Sequence, residues 1–194
     1  MMAEGCAPGV CVYCGSRAGD DPAFVAEARQ LGRELARAGL RVVYGAGDIG
    51  MMGAVADGAK EAGGQRLGVI TQHLIGREAR NRDLNGCIVT ETMHERKKVM
   101  FMNADAVVAL PGGPGTLDEL FEVLTWRQLG LHDKPVLLLN TLGYWDPLIA
   151  LIDSIITRGF ADRSFAGFLT VCQSPDAVIA ELRARLSRRN NSTQ

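Results

Sequence analysis

The residues that could do chemistry are concentrated in three stretches of this 194-residue chain. In the most specific, Ala106-Val107-Val108-Ala109-Leu110 reads as a buried strand, Pro111-Gly112-Gly113-Pro114-Gly115 as a turn that exposes backbone amides, and Thr116-Leu117-Asp118-Glu119 as the start of a helix. Free N–H groups, a hydroxyl and the positive end of a helix dipole converge there, which makes a phosphate cradle. The turn lacks the Lys-Ser/Thr ending of a P-loop, so it suits a monophosphate better than a triphosphate awaiting hydrolysis. Asp118, Glu119 and Glu122 lie beside the same anion site. A carboxylate there could hold ribose hydroxyls or stabilise positive charge developing on a sugar, roles that glycoside cleavage requires. Thr116 and Glu119 also have the spacing of a capping box, in which both serve only the helix end.

The second stretch is Met93-His94-Glu95-Arg96-Lys97-Lys98-Val99-Met100. Successive helical residues point about 100° apart, so Arg96, Lys97 and Lys98 cannot share one face, and at least one should turn toward the sheet edge. Arg96 is the best suited to a planar, two-pronged hold on phosphate or carboxylate, the alternative being a solvated basic face. The third stretch, Tyr44 to Gly53, places Gly45, Gly47 and Gly50 at the spacing G-x-G-x-x-G. A dinucleotide fold wants that loop after the first strand and an acidic residue closing the next one. Here the loop follows the second predicted strand and the third ends in Thr71-Gln72-His73, which argues against NAD or FAD. Close packing of strand on helix and a wall for phosphate or substrate remain as readings of these glycines, Gly47 among them.

Other chemistry is disfavoured. Cys11 and Cys14 have C-x-x-C spacing but fall inside a predicted strand, on opposite faces, so a redox pair is not expected. His73, His94 and His132 share no ligand spacing with each other or the cysteines, which disfavours zinc. Ser16 has no visible base and reads as a hydrogen-bonding residue in a cleft at the strand ends.

The elements that must position these residues alternate along the whole chain. Strands are predicted at Gly9–Cys14, Arg41–Tyr44, Arg66–Ile70, Cys87–Thr90, Ala106–Leu110, Pro135–Leu139 and Phe168–Cys172, several of them apolar throughout, as strands buried on both faces are. Helices are predicted from Asp21-Pro22 to Gly39, over Gly50–Ala62, Thr92–Asn103, Thr116–Leu129 and Asp146–Arg158, and from Ser174-Pro175 onward, with residues 188–194 as a frayed tail. This pattern predicts an α/β fold, a three-layer sandwich with a parallel sheet and helices on both faces, forming a single domain over residues 1–194. The stretch from Thr71 to Gly86, crowded with His73, Arg77, Glu78, Arg80, Arg82 and Asp83, has the weakest pattern and reads as a solvated or site loop.

Composition narrows the function further. With 47% hydrophobic residues, 22% charged and a net charge of −1, there is no electrostatic support for binding nucleic acid or a membrane surface. The N-terminus does not read as a secretory signal, no apolar run would span a membrane, and five cysteines suit free thiols in a reducing compartment, so a cytoplasmic location is expected.

Met93–Met100, Ala109–Glu119, Leu124-Thr125-Trp126-Arg127-Gln128-Leu129-Gly130 and His132-Asp133-Lys134-Pro135, with Cys11–Ser16 and the second glycine loop, together resemble the Lonely Guy family of cytokinin riboside 5′-monophosphate phosphoribohydrolases, often mislabelled lysine decarboxylases. The resemblance covers nearly the whole chain and rests on the signature P-G-G-x-G-T-x-x-E preceded by an R-K helix. It implies a Rossmann-like fold, a homodimer with active sites near the subunit interface, no metal or pyridoxal cofactor, and release of a free base and ribose 5-phosphate from an adenosine-type monophosphate. By motif, Arg96 and Glu119 are the expected catalytic residues. Glu78, Lys97, the loop Gly113-Pro114-Gly115-Thr116 and Thr125 are the expected substrate contacts. To these the loop reading adds Gly112, Leu117, Asp118, Ser16 and Gly47. The chain departs from the family at Ala46, where a glycine is usual and where the substrate wall could narrow, and at Thr71, where a proline is common.

Overall fold

Short apolar runs become strands here because helices on either side can bury both their faces. The computed structural model describes residues 7–75 and 84–192. Its strands are β1 (Gly9–Tyr13), β2 (Arg41–Tyr44), β3 (Arg66–Thr71), β4 (Gly86–Thr90), β5 (Ala106–Ala109), β6 (Val136–Leu139) and β7 (Leu169–Cys172). The helices are α1 (Pro22–Arg37), α2 (Gly50–Glu61), α3 (Met93–Met102), α4 (Pro114–Gln128), α5 (Asp146–Thr157) and α6 (Pro175–Ser192). All strand pairings are parallel, in the order β4-β3-β2-β1-β5-β6-β7.

Period-2 alternation in the strands divides the core in two. Val10, Val12 and Cys14 pack on one side with Leu31 of α1, Val55 of α2 and Val178 of α6. Cys11 and Tyr13 pack on the other with Met100 of α3, Leu120 of α4 and Leu148 of α5. The predicted three-layer architecture is therefore present, and Cys11 and Cys14 do face opposite sides. Among the described residues, no helix is long and apolar enough to cross a membrane.

Helix ends follow local chemistry. Asp21 caps α1 by accepting from the Ala23 amide at 2.8 Å, with Pro22 in the first turn. One end differs from expectation. Helix α4 begins at Pro114, two residues before the predicted start, because proline is preorganised for a first turn. Helix α6 runs to Ser192.

Glycine sets the spacing of α1 and α2. A Cβ on Gly58 would lie 1.9 Å from the Arg29 carbonyl oxygen, and one on Gly32 would lie 2.0 Å from that of Val55. Backbone stands against backbone at both points, so no side chain can swing aside. Gly58→Ala is expected to cost about 1–3 kcal/mol as the helices are forced apart, read as a lower urea midpoint at unchanged slope.

Candidate active site

Strand order reverses between β1 and β5, since the chain winds outward from β1 to β4 in one direction and from β5 to β7 in the other. In open parallel sheets ligands bind outside the carboxyl ends of the strands at such a point. A cleft of about 840 Å³ opens there, between the loops after β1 and β5 and the starts of α3 and α4.

The turn after β5 is built to present amides. Its carbonyls are occupied: Pro111 accepts from the Gly15 amide at 3.1 Å, Gly112 from the Tyr144 hydroxyl at 2.5 Å, and Gly113 from the Leu117 amide at 3.2 Å. The first-turn amides of Gly115 and Thr116 have no carbonyl within their own helix to bind, and the positive end of α4 lies with them. Gly112 has no room for a side chain, because a Cβ would meet the Thr116 hydroxyl oxygen at 2.1 Å and the Gly15 nitrogen at 2.7 Å. Around Gly113 and Gly115 the space is open.

Arg96, in the first turns of α3, is buried, with 6% of its surface exposed. Its Nε donates to the Val69 carbonyl at 3.0 Å and its Nη2 to the Gly45 carbonyl at 2.8 Å. The guanidinium therefore ties α3 to the ends of β2 and β3. A Cβ at Gly45 would lie 2.2 Å from Nη2, so any side chain there would displace the guanidinium. Helix α3 also carries the true capping box of the region, where Thr92 accepts from the Glu95 amide and Glu95 reaches back to the Thr92 amide.

Thr116 and Glu119 form no such box. Gly113 is the N-cap of α4 and Thr116 already lies within the helix, so Glu119 falls in the second turn and is free of capping duty. It lines the cleft with Arg96. Burial pushes its carboxyl pKa up to about 7; the Arg96 charge opposes that rise and the Asp118 charge adds to it. A carboxyl poised near neutrality in a cleft is what acid, base or electrostatic catalysis needs. Lys97 is buried beside it and bridges Asp118 at 3.0 Å and Glu122 at 3.1 Å. Burial alone would lower the pKa of this ammonium, but the bonds to Asp118 and Glu122 outweigh it and raise the value.

Not every expected site residue meets in the cleft. Ser16, Arg96, Lys97, Gly112, Gly113, Pro114, Gly115, Thr116, Asp118 and Glu119 line it. Gly47 does not: it is buried and sits against the Met52 side chain. Gly45 of the same loop does line the cleft. Leu117 and Thr125 lie in a separate shallow depression with Phe121 and Trp126, which meets the cleft edge at Asp118. Glu78 lies outside the described residues. Ala46 adopts φ 60° and points its methyl toward Gly68, so it leaves the cleft wall alone. Thr71 is buried, its hydroxyl 4.0 Å from the Met93 sulfur.

Sequence reasoning passed over Phe24, Tyr144 and the methionines Met51, Met52, Met93 and Met100, which also line the cleft. Tyr144 follows β6, and the rule that ligands sit at the carboxyl ends of strands could have directed attention there. The methionines gave no signal, since apolar residues at helical spacing read equally as core.

Comparisons with known proteins place the chain in a family. The sequence profile of the family described as possible lysine decarboxylase matches residues 52–182. The chain is 41% identical to the Arabidopsis thaliana cytokinin riboside 5′-monophosphate phosphoribohydrolase LOG5 over 90% of its own length and 77% of that protein's. It belongs to the Lonely Guy family. Its similarity to the rice protein named probable cytokinin riboside 5′-monophosphate phosphoribohydrolase LOGL1 reaches 47% over 78% of this chain and 68% of that one. The Lonely Guy fold extends to other roles, for the Chlamydomonas reinhardtii molybdenum cofactor carrier protein superposes with a TM-score of 0.74, at 26% identity, covering 94% of this chain and 99% of the other.

Proposed function

We propose that this protein hydrolyses the N-glycosidic bond of cytokinin riboside 5′-monophosphates, and of AMP, releasing the free base and ribose 5-phosphate. The observation that carries the reading is one cleft that holds both an amide-lined turn at a helix N-terminus and a half-buried carboxyl, Glu119, whose pKa is raised, beside a fixed cation, Arg96. The turn and Thr116 bind the 5′-phosphate, and that remote contact orients the sugar over Glu119. The Glu119 carboxylate holds the ribose and steadies the oxocarbenium-like transition state as the bond from the anomeric carbon to the base nitrogen breaks. The bonding pair leaves with the base, which takes up a proton, and water adds its oxygen to the anomeric carbon while losing a proton. Arg96, held by two carbonyls, acts as a fixed charge that keeps Glu119 ionisable.

The active form in this reading is a homodimer with its sites near the subunit interface. Placement of Thr125 outside this chain's own cleft fits that reading, because its substrate contact would then be made across the interface. A cytoplasmic setting suits the free thiols at Cys11, Cys14, Cys87 and Cys172.

The fold shared with a cofactor carrier supports a second reading, in which the cleft holds a phosphorylated ligand without cleaving it. Incubating the purified protein with AMP, isopentenyladenosine monophosphate and the corresponding nucleosides decides between them. Free base from the monophosphates but not the nucleosides is expected; intact nucleotides throughout would leave the carrier reading.

A further inference from the structure

Resting on the reading that the Pro111–Gly115 turn holds a phosphate, we propose that Tyr144 is a positioning residue for that anion site, acting through the Gly112–Gly113 peptide. Its hydroxyl donates to the Gly112 carbonyl at 2.5 Å. In a trans peptide the carbonyl and the following N–H point in opposite directions, so fixing the Gly112 oxygen also fixes the Gly113 amide. Glycine flanks this peptide on both sides, and the space around Gly113 is open. Little steric cost therefore opposes its rotation. A rotated peptide would aim the Gly112 carbonyl dipole at the anion and withdraw an amide from it. The Pro111 and Gly113 carbonyls are held by backbone amides, whereas Gly112 receives its hydrogen bond from a side chain of another element.

Tyr144 is braced for this task. The chain reaches it through two left-handed residues, Leu142 (φ 53°) and Gly143 (φ 72°). The Asn140 side chain spans the turn, accepting from the Trp145 amide at 2.7 Å and donating to Asp146 at 2.8 Å. Thr141 donates to Glu27 of α1 at 2.5 Å. The tyrosine ring meets Phe24 and Trp145 edge to face, with centroids 6.0 Å and 5.0 Å apart. The Asn140 bonds and the two ring contacts aim the hydroxyl and leave its ring in place when the oxygen is removed, whereas the Thr141 bond anchors the segment to α1 without touching the tyrosine.

Tyr144→Phe deletes the hydroxyl alone. Ribose 5-phosphate binding by calorimetry is expected to weaken about tenfold, the loss of one well-aligned hydrogen bond, with KM for the monophosphate rising by the same factor and kcat unchanged. Thr141→Val loosens the same connection without touching Gly112, and is expected to lower the melting temperature while leaving ribose 5-phosphate affinity intact. Wild-type affinity in Tyr144→Phe, an equal loss in Thr141→Val, or a fall in kcat at constant KM would each overturn the proposal. Failure of the wild type to cleave nucleotides would refute the hydrolase reading but not this one, because the calorimetric comparison needs no turnover. A wild type that binds no ribose 5-phosphate would remove the anion site and this proposal with it.

Discussion

Glu119→Gln is expected to lower kcat by about 100- to 1,000-fold, the usual loss when one preorganised charge at a developing cation or anion is removed, and at the same time to make the protein more stable. Both effects come from the burial that pushes the Glu119 carboxyl from its ordinary value of 4.5 to about 7. Below about pH 4.5 the group is neutral folded or unfolded and costs nothing. As pH rises, the unfolded chain releases the proton first, so stability is lost between the two values and the full penalty stands above pH 7. A displacement of that size corresponds to about 3 kcal/mol. Urea unfolding of wild type and variant at about pH 5 and about pH 8 tests the sign, since the gap in favour of glutamine must widen with pH. Activity moves the other way. If the ionised carboxylate steadies the transition state, kcat/KM of the wild type rises through about pH 7, and Glu119→Gln loses that rise along with its rate. A variant with undiminished turnover would reduce Glu119 to a structural residue.

Arg96→Ala is expected to damage the fold and the chemistry together. The side chain supplies donors to the Val69 and Gly45 carbonyls from a position only 6% exposed. Its removal leaves a cavity and under-satisfied buried oxygens, about 3–5 kcal/mol in sum. The charge that opposes the rise in the Glu119 pKa is lost as well, so the residual pH–rate profile should move to higher pH. Arg96→Lys separates these effects. It restores the charge, and with it the position of the profile, but a single ammonium cannot reproduce the planar fork that reaches two carbonyls. Kinetic profiles across pH, read beside unfolding curves, are the measurement. An unmoved profile in Arg96→Ala would dissociate Arg96 from Glu119.

Much of this architecture was legible in the order of residues. Buried parallel strands announce themselves as apolar runs, and β1 to β7 fall within a residue or so of the predicted segments. The Pro-Gly-Gly-Pro-Gly-Thr turn could be read as an anion site because backbone conformation at glycine and proline is set locally. The start of α4 was misjudged because Thr116 and Glu119 satisfy a capping-box spacing that proline two residues earlier pre-empts. The spacing of Gly45, Gly47 and Gly50 left packing and a ligand wall equally open, and the tertiary structure sets Gly47 against the Met52 side chain.

What the sequence by itself determined is the fold class and the course of the Pro-Gly-rich turn into a helix N-terminus, both consequences of short-range patterns in which neighbours along the chain dictate the outcome. Only the tertiary structure decided which face of α3 is buried, that Arg96 bridges β2 and β3 while Lys97 is committed to Asp118 and Glu122, that Glu119 is pushed near neutrality, and that Tyr144 reaches the Gly112 carbonyl. These depend on strand order. Residues 112 and 144 become neighbours because β5 and β6 lie side by side with their carboxyl ends together, and desolvation of a carboxyl depends on everything packed around it, most of which is distant in the chain.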